Sequence, residues 1–228
     1  MSTVVSQPSP TPPASAQAIR NVAELLHELG DIPPERVLMN PPPGTATEAD
    51  LLRKVEAEDK LCELVEGTLV EKPVGYGEAK LAALLVHHLM SFVLPRKLGA
   101  VSGPDSTLRV TKGTLRLPDV AFVTAARLAS TQTGNKRVPS LSPDLAIEVL
   151  SPSNTKREMA RKRREYFAGG TRLVWEFDPE RRTVDVYDSP EATPRHLIEA
   201  GILDGGEVLP GFSVPLRELF AELDQMET

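Results

Sequence analysis

The sequence predicts a mixed α/β (α+β) domain, in which helices flank a mixed β-sheet core, with an N-terminal extension that is helical and proline-rich. Segments with apolar residues at helical spacing alternate with short apolar segments typical of strands, in the order α, β, β, α, β, β, β, α, β, β. Prolines are concentrated at the start, since nine of the 21 lie in residues 1–45. At 228 residues the chain is long enough for one domain with appended segments.

The composition excludes some classes of protein. The net charge is −6, from 26 Lys and Arg against 32 Asp and Glu, which argues against a protein that coats DNA and leaves room for a local basic face. The one cysteine, Cys62, has no partner for an internal disulfide, which is typical of a cytoplasmic protein. Because no run of 18 apolar residues occurs and the N-terminus lacks a signal-peptide pattern, we expect no membrane segment and a cytoplasmic location.

The N-terminal extension divides into two parts. Residues 1–15 are small, polar and proline-rich, a composition that predicts a disordered tail. In residues 16–29 the apolar side chains recur at helical spacing and Gly30 follows as a stop, so we expect a helix there. The prolines that follow predict an extended connector with little room for a strand. Residues 16–45 are therefore a helix and connector, and residues 46–228 the main domain.

The main domain opens with a short helix, because Thr47 and Asp50 form a capping-box pattern. The next segment, LCELVEGTLVEK, predicts two short strands in a hairpin around Glu66-Gly67. The longest helix is expected over residues 77–94, with a broad apolar stripe and Pro95 at its end.

The rest of the domain is predicted to form three strands, a helix, two strands joined by a short turn, and a turn into a C-terminal amphipathic helix: 100–110, 114–123, 143–150, 156–168, 171–178, 182–188 and 211–223. Thr155 and Glu158 form a capping box at the start of helix 156–168, and Gly169-Gly170 ends it.

Two acidic residues lie inside segments that otherwise predict buried strands. Asp119 is in LRLPDVAFV and Glu148 is in DLAIEVL. A buried carboxylate is costly unless it is neutralised, paired with Lys or Arg, or bound to a cation such as Mg²⁺. Neighbouring strands can bring two such side chains within about 5 Å, and a divalent cation would relieve their repulsion. The alternative is that each acid marks a strand end and faces solvent or an arginine.

The helix after Glu148 is strongly basic, since six of the nine residues from Lys156 to Arg164 are Lys or Arg. Helical spacing places Lys162 on the inward stripe, one turn before Tyr166, where its ammonium could reach the carboxylates. The same spacing turns three arginines toward water: Arg157, Arg161 and Arg164. The alternative is a solvated basic face on which Lys162 extends its ammonium to water.

Taken together, these segments resemble the bacterial Uma-type putative restriction endonuclease family, within the PD-(D/E)XK nuclease superfamily. The resemblance lies in PDVAFV, PDLAIEVLSPSN, Lys162 with Tyr166, and the later Gly170, Trp175, Asp178-Pro179 and RTVDVY. It extends from CELVEGTLVE to GFSVPLRELF and covers roughly residues 46–222. It implies a restriction-endonuclease-like fold with an αβββαβ core, which suits the order of elements above.

The resemblance also implies roles for individual residues. Asp119 matches the motif aspartate and Glu148 the (D/E) position, so both are expected to be catalytic and to bind the metal. The residue two after Glu148 is Leu150 and not the motif lysine, and Lys162 matches the place on the next helix to which the basic role moves. Glu78, near the start of helix 77–94, matches the further metal-binding acid; it could equally be a helix N-terminal acid.

The function predicted first is a Mg²⁺- or Mn²⁺-dependent endonuclease that acts on DNA. Asp119 and Glu148 would hold the metal, Lys162 would orient the attacking water, and the three arginines would contact DNA phosphates. The alternative is a non-catalytic module on an inactivated nuclease fold, which binds nucleic acid or protein. A homodimer is also possible, with helix 16–29 lying across a second copy.

Overall fold

A computed structural model describes residues 21–58, 60–73, 75–131 and 137–226. The predicted tail 1–15 and the first part of helix 16–29 lie outside these residues. The helices are α1 (Val22–Glu28), α2 (Glu48–Glu58), α3 (Tyr76–Arg96), α4 (Ala125–Ser130), α5 (Lys156–Ala168) and α6 (Leu216–Gln225). The strands are β1 (Val37–Leu38), β2 (Cys62–Val65), β3 (Thr68–Glu71), β4 (Gly99–Ser102), β5 (Leu108–Thr111), β6 (Thr114–Arg116), β7 (Val120–Thr124), β8 (Leu145–Val149), β9 (Leu173–Asp178), β10 (Thr183–Tyr187), β11 (Arg195–Leu197), β12 (Ile202–Gly205) and β13 (Leu209–Pro215).

Most of the strands belong to two sheets, and a short pair, β12 and β13, stands apart. The central sheet has the order β11-β10-β9-β8-β7-β4 and is mixed, since β8 and β9 are parallel and its other pairs antiparallel. The second sheet is antiparallel and has the order β1-β3-β2-β6-β5. The predicted mixed sheet flanked by helices is confirmed.

The central sheet lies between two helical layers. On one face Val120 and Ile147 belong to the main apolar core, together with the inner sides of α3 and α6. On the other face Ala121 and Ala146 pack with Tyr166 of α5. Side chains alternate between the faces of a strand, so Asp119, two positions before Ala121, and Glu148, two positions after Ala146, also point toward α5.

Helix α3 has a length and composition that would also suit a membrane span. Its inner side chains Leu81, Leu85, Leu89 and Val93 are buried in the domain, as in the core helix of many globular proteins. The absence of a membrane segment stays a prediction.

Two predicted strands are each divided between the sheets. Segment 100–110 contains β4 of the central sheet and β5 of the second sheet, and segment 114–123 contains β6 and β7. The second division falls at Leu117, Pro118 and Asp119. Proline has no N–H to donate to a ladder, so pairing ends there and the chain crosses from one sheet to the other.

The connector after α1, predicted to be extended with little room for a strand, takes part in the second sheet. It contains β1, which pairs with β3 through Val37 opposite Val70 and Leu38 opposite Leu69. Val37 and Val70 are buried in a small apolar cluster with Leu25 of α1. The expectation of little room for a strand was wrong, because burial of this apolar set holds the segment against the sheet.

Helix α1 and the turn after it dock on α5 of the same chain. Gly30 has φ 95° and lies against the backbone of Glu158, where an added Cβ would come within 2.6 Å of Glu158 Cα. Arg36 donates to both Glu158 carboxylate oxygens, at 2.9 and 2.7 Å, in a buried pair. The described part of helix 16–29 also contacts α5, through His27 with Arg157 and the Glu28 carbonyl oxygen with Arg161. A homodimer stays a prediction.

Candidate active site between the two large sheets

Asp119 and Glu148 face each other across neighbouring strands. The antiparallel register of β7 and β8 pairs Val120 with Ile147 and Ala121 with Ala146, and one further step places Asp119 opposite Glu148. Both carboxylates therefore point to the face of the sheet that α5 covers. The structure thus brings together the two acids that the sequence singled out.

Glu148 is buried and held from α5. Its Oε2 lies 3.1 Å from the Lys162 ammonium, and the Tyr166 hydroxyl donates to its Oε1 at 2.7 Å. Burial raises the pKa of Glu148, the Asp119 and Glu63 carboxylates add to the increase, and the nearby lysines oppose it. Lys162 points inward, as predicted.

A third carboxylate, Glu63 of β2, enters the cluster from the second sheet. Its Oε1 accepts the Leu117 N–H at 3.1 Å and lies 3.4 Å from Lys162 Nζ, while its Oε2 accepts from Arg116 at 2.6 Å. Burial opposes ionisation of Glu63, but the charges of Lys162, Arg116 and Lys72 outweigh it and lower its pKa. Glu63 is thus held as a carboxylate.

Lys72, directly after β3, is the partner of Asp119. Its Nζ lies 2.9 Å from Asp119 Oδ1 and also donates to the carbonyl oxygen of Leu117. The other oxygen, Asp119 Oδ2, accepts the Val149 N–H at 2.8 Å. Both charged side chains are largely buried, with exposed fractions of 6% for Lys72 and 10% for Asp119.

The buried cluster balances its charges. Three carboxylates face three cations: Glu63, Asp119 and Glu148 with Lys72, Arg116 and Lys162. Burial lowers the pKa of Lys162, but Glu148 and Glu63 outweigh it and raise the pKa, so the lysine stays charged. A buried network of this kind is tolerated because each charge is paired.

Asp119 and Glu148 have the donor set that a Mg²⁺ or Mn²⁺ ion would need. Each carboxylate oxygen accepts from one protein donor and keeps lone-pair capacity for a second partner. Mg²⁺ in enzymes is commonly held by one or two carboxylates, with waters and substrate phosphates. In the part of the chain that the structure describes, no group of three or more His, Cys, Asp or Glu is arranged to hold a metal, so an ion bound by this pair would take its other ligands from water or phosphate.

Glu78 is the predicted third metal ligand. It is half-buried in the first turn of α3, and its carboxylate folds back over Gly75, where an added Cβ would lie 1.9 Å from Oε2. Within the described residues, no hydrogen bond or ion pair joins Glu78 to Asp119 or Glu148. The third acid at the cluster is Glu63. The role of Glu78 in metal binding stays a prediction.

The three arginines predicted to face water differ from one another. Arg164 is exposed. Arg157 is exposed but contacts the N-terminal segment through His27 and Asp31.

The expectation was wrong for Arg161, whose side chain is only 14% exposed. Arg161 pairs with Glu165 at 2.7 Å and Glu66 at 3.3 Å, and it donates to the carbonyl oxygen of Glu28. The cause is the packing of α1 on α5, which helical spacing within α5 does not reveal.

Two cations of the cluster, Lys72 and Arg116, were not predicted from the sequence. Arg116 stands between Leu115 and Leu117 in a buried strand, and Lys72 lies between a buried strand and Pro73. The rule that singled out the acids, that a charge among buried strand residues needs a partner, applies equally to these cations.

The comparisons with known proteins agree with this architecture. The sequence model of the family described as "Uma2: Putative restriction endonuclease" matches residues 47–218. The fold is similar to the crystal structure of a protein from Anabaena variabilis whose title calls it a putative nuclease belonging to DUF820. The TM-score is 0.64 at 20% identity, over 72% of this chain and 92% of that one. No curated protein matches the chain. The predicted restriction-endonuclease-like fold and family resemblance are confirmed.

Proposed function

Because the chain belongs to the Uma2 family, whose members are described as putative restriction endonucleases, we propose that it is a metal-dependent nuclease that hydrolyses phosphodiester bonds in DNA. The observation that supports the proposal most is the cross-strand pair of Asp119 and Glu148 with Lys162 on the inner side. Two facing carboxylates and an ammonium are the groups that metal-assisted hydrolysis of a phosphodiester uses.

In this proposal Asp119 and Glu148 hold a Mg²⁺ or Mn²⁺ ion. When bound, the ion would supply positive charge at the phosphate and lower the pKa of a water ligand. Glu148 is oriented by two fixed donors, the Tyr166 hydroxyl and the Lys162 ammonium. Lys162 would orient the attacking water and stabilise the charge that develops on the phosphate.

The exposed side of α5 would contact DNA. Arg164 and Arg157 would bind backbone phosphates, which gives affinity that depends on salt and does not depend on base sequence. Arg161 would act indirectly, since its guanidinium bridges Glu165 and Glu66. Because the chain carries a net charge of −6, we expect weak binding to DNA away from this edge.

One observation favours the alternative function, a non-catalytic nucleic-acid-binding module. Each acid of the cluster is already paired with a cation of the protein, and the exposed fraction of the Glu148 side chain is only 4%. A fold that had lost its metal would need such pairs for stability.

The test is cleavage of supercoiled plasmid, linear duplex, single-stranded DNA and RNA, each with Mg²⁺, with Mn²⁺ and with chelator. We expect DNA cleavage that requires the metal and falls by about a hundredfold or more in Glu148→Gln and Asp119→Asn. Glu207→Gln, in the exposed turn between β12 and β13, is the matched control and should keep full activity. DNA binding without cleavage under any condition would establish the alternative, and cleavage of RNA alone would refute the choice of DNA.

A further inference from the structure

We infer that Lys72 is an exchangeable counter-ion of the candidate site: its ammonium neutralises Asp119, and it leaves Asp119 when a divalent cation binds there. The inference rests on the proposed function, because it concerns the same carboxylate pair. It gives a role to a residue that neither the sequence pattern nor the motif assigns.

The ammonium of Lys72 contacts one short stretch of chain. Its Nζ contacts Asp119 Oδ1 and the carbonyl oxygen of Leu117, two residues apart at the crossing between the sheets. An ammonium has three donors, and its four-carbon stem is flexible. Lys72 can therefore be released by changes at a single carboxylate.

Lys162 is held in a different way. Its ammonium lies between Glu148, in the central sheet, and Glu63, in the second sheet. Removing it would leave two buried carboxylates without this shared cation. Removing Lys72 from Asp119 breaks one ion pair, because Glu63 and Glu148, which its charge also stabilises, keep Lys162 as a direct partner. A metal bound to Asp119 would replace the lost charge. Of the two lysines, Lys72 is the one that a metal can replace without an unpaired buried charge.

The two lysines also differ in depth. The exposed fractions of the side chains are 6% for Lys72 and 10% for Asp119, against 3% for Lys162 and 4% for Glu148. An ion that enters from solvent therefore reaches the Asp119 side first. Once there, its charge would repel an ammonium that lies within hydrogen-bond distance of the same carboxylate oxygen.

The experiment is calorimetric titration of Mn²⁺ into the full chain, its Lys72→Met variant and a matched control. The control is Lys60→Met, which removes an exposed lysine 3.7 Å from Glu71 on the same sheet. We expect Lys72→Met to bind Mn²⁺ at least about tenfold more tightly than the unmodified chain, because it removes a competing charge beside the metal. Lys60→Met should bind as the unmodified chain does.

A second measurement reports on Lys72 directly and does not depend on the variant folding. Acetylation of lysines by acetic anhydride, followed by mass spectrometry of the unmodified chain, should show Lys72 protected without metal and several-fold more reactive in saturating Mn²⁺. Lys162 should stay protected in both conditions.

Two results would overturn the exchange, and they differ in what they leave of the proposed function. If the unmodified chain binds Mn²⁺, but Lys72→Met binds no more tightly and Lys72 labelling does not change, the exchange is refuted and the proposed metal site stands. If neither the unmodified chain nor Lys72→Met binds Mn²⁺, the metal dependence of the proposed function is refuted together with the inference.

Discussion

The two sheets contribute opposite excesses of charge to the cluster between them. The second sheet contributes Glu63 together with the cations Lys72 and Arg116, an excess of one positive charge. The central sheet contributes Asp119 and Glu148, with no cation of its own. Asp119 and Glu148 are neutralised by cations from outside the central sheet, Lys72 and Lys162. Carboxylates without a cation of their own sheet are what we expect of a metal-binding pair. The second sheet, which we call the cationic side because it supplies Lys72 and Arg116, provides positive charge that stabilises the buried carboxylates.

Glu63 and Glu148 show the same difference at the level of single carboxylates. Both are buried and both contact Lys162, yet the pKa of Glu63 is lowered and that of Glu148 is raised. Glu63 also has Arg116 and the Leu117 N–H, whereas Glu148 has a neutral tyrosine donor and a neighbouring aspartate. Depth of burial is therefore not what separates a structural acid from a candidate catalytic one.

The largest effect is expected where the cationic side is broken. Arg116→Met removes the guanidinium that binds both Glu63 and Glu165, so each of these carboxylates loses a cation and depends on Lys162 or Arg161 alone. We expect the free energy of unfolding in urea to fall by roughly 3–5 kcal/mol. Arg181→Met, which breaks an exposed pair with Asp178, should cost less than about 1 kcal/mol. Equal losses in both variants would remove the structural role given to the cationic side.

The next effect separates the two acids by function. Glu148→Gln should lower nuclease activity by about a hundredfold or more while the protein stays folded, since an amide keeps the size and much of the hydrogen bonding of Glu148. Glu63→Gln should mainly lower stability, because it leaves Arg116 short of a buried counter-charge. Activity assays and urea denaturation on both variants check this, and the reverse assignment would overturn the comparison.

How much of this site the sequence predicts depends on where each residue comes from. Asp119 and Glu148 lie on adjacent strands, and Lys162 on the next helix, so strand and helix periodicity suffice to predict their approach. Lys72 and Glu63 come from another sheet, and local periodicity carries no information on how two sheets meet. Arg161 was misplaced for the same reason, because α1 covers it from far away in sequence.

The pH dependence of stability should differ in sign for the two acids. The pKa of Glu63 lies below its ordinary value of 4.5, so its contribution is present above that pH and is lost as the pH falls through the folded-state pKa. The pKa of Glu148 lies above 4.5, so its contribution is present below that pH and is lost as the pH rises through the folded-state pKa. The free energy of unfolding is measured over a range of pH for the unmodified chain, Glu63→Gln and Glu148→Gln. The change with pH gives the sign of each contribution.

Below pH 4.5, Glu63→Gln should therefore lose less stability as the pH falls than the unmodified chain does. Above pH 4.5, Glu148→Gln should lose less stability as the pH rises. The same slope in both variants would show that the two carboxylates do not differ as described.

The smallest effect concerns the outer face of α5. Arg164→Ala should weaken DNA binding a few-fold and reduce the salt slope of the affinity by about one phosphate contact. Arg181→Ala, exposed on a different turn, is the control and should change neither. Fluorescence anisotropy over a range of salt concentrations measures both. An unchanged slope in Arg164→Ala would place the DNA on another surface.

The contact between Arg36 and Glu158 has a consequence for how the domain is delimited. The family match begins at residue 47, but the guanidinium that neutralises Glu158, at the start of α5, lies eleven positions upstream of that boundary. A protein trimmed to the matched region would lose the cation that donates to both oxygens of this buried carboxylate, in the first turn of the helix that supplies Lys162. The family match marks the part of the chain that relatives share. The smallest unit that folds also depends on charge pairs, such as Arg36 with Glu158, that cross the boundary of the match. For this chain we expect the smallest stable fragment to begin at or before Arg36.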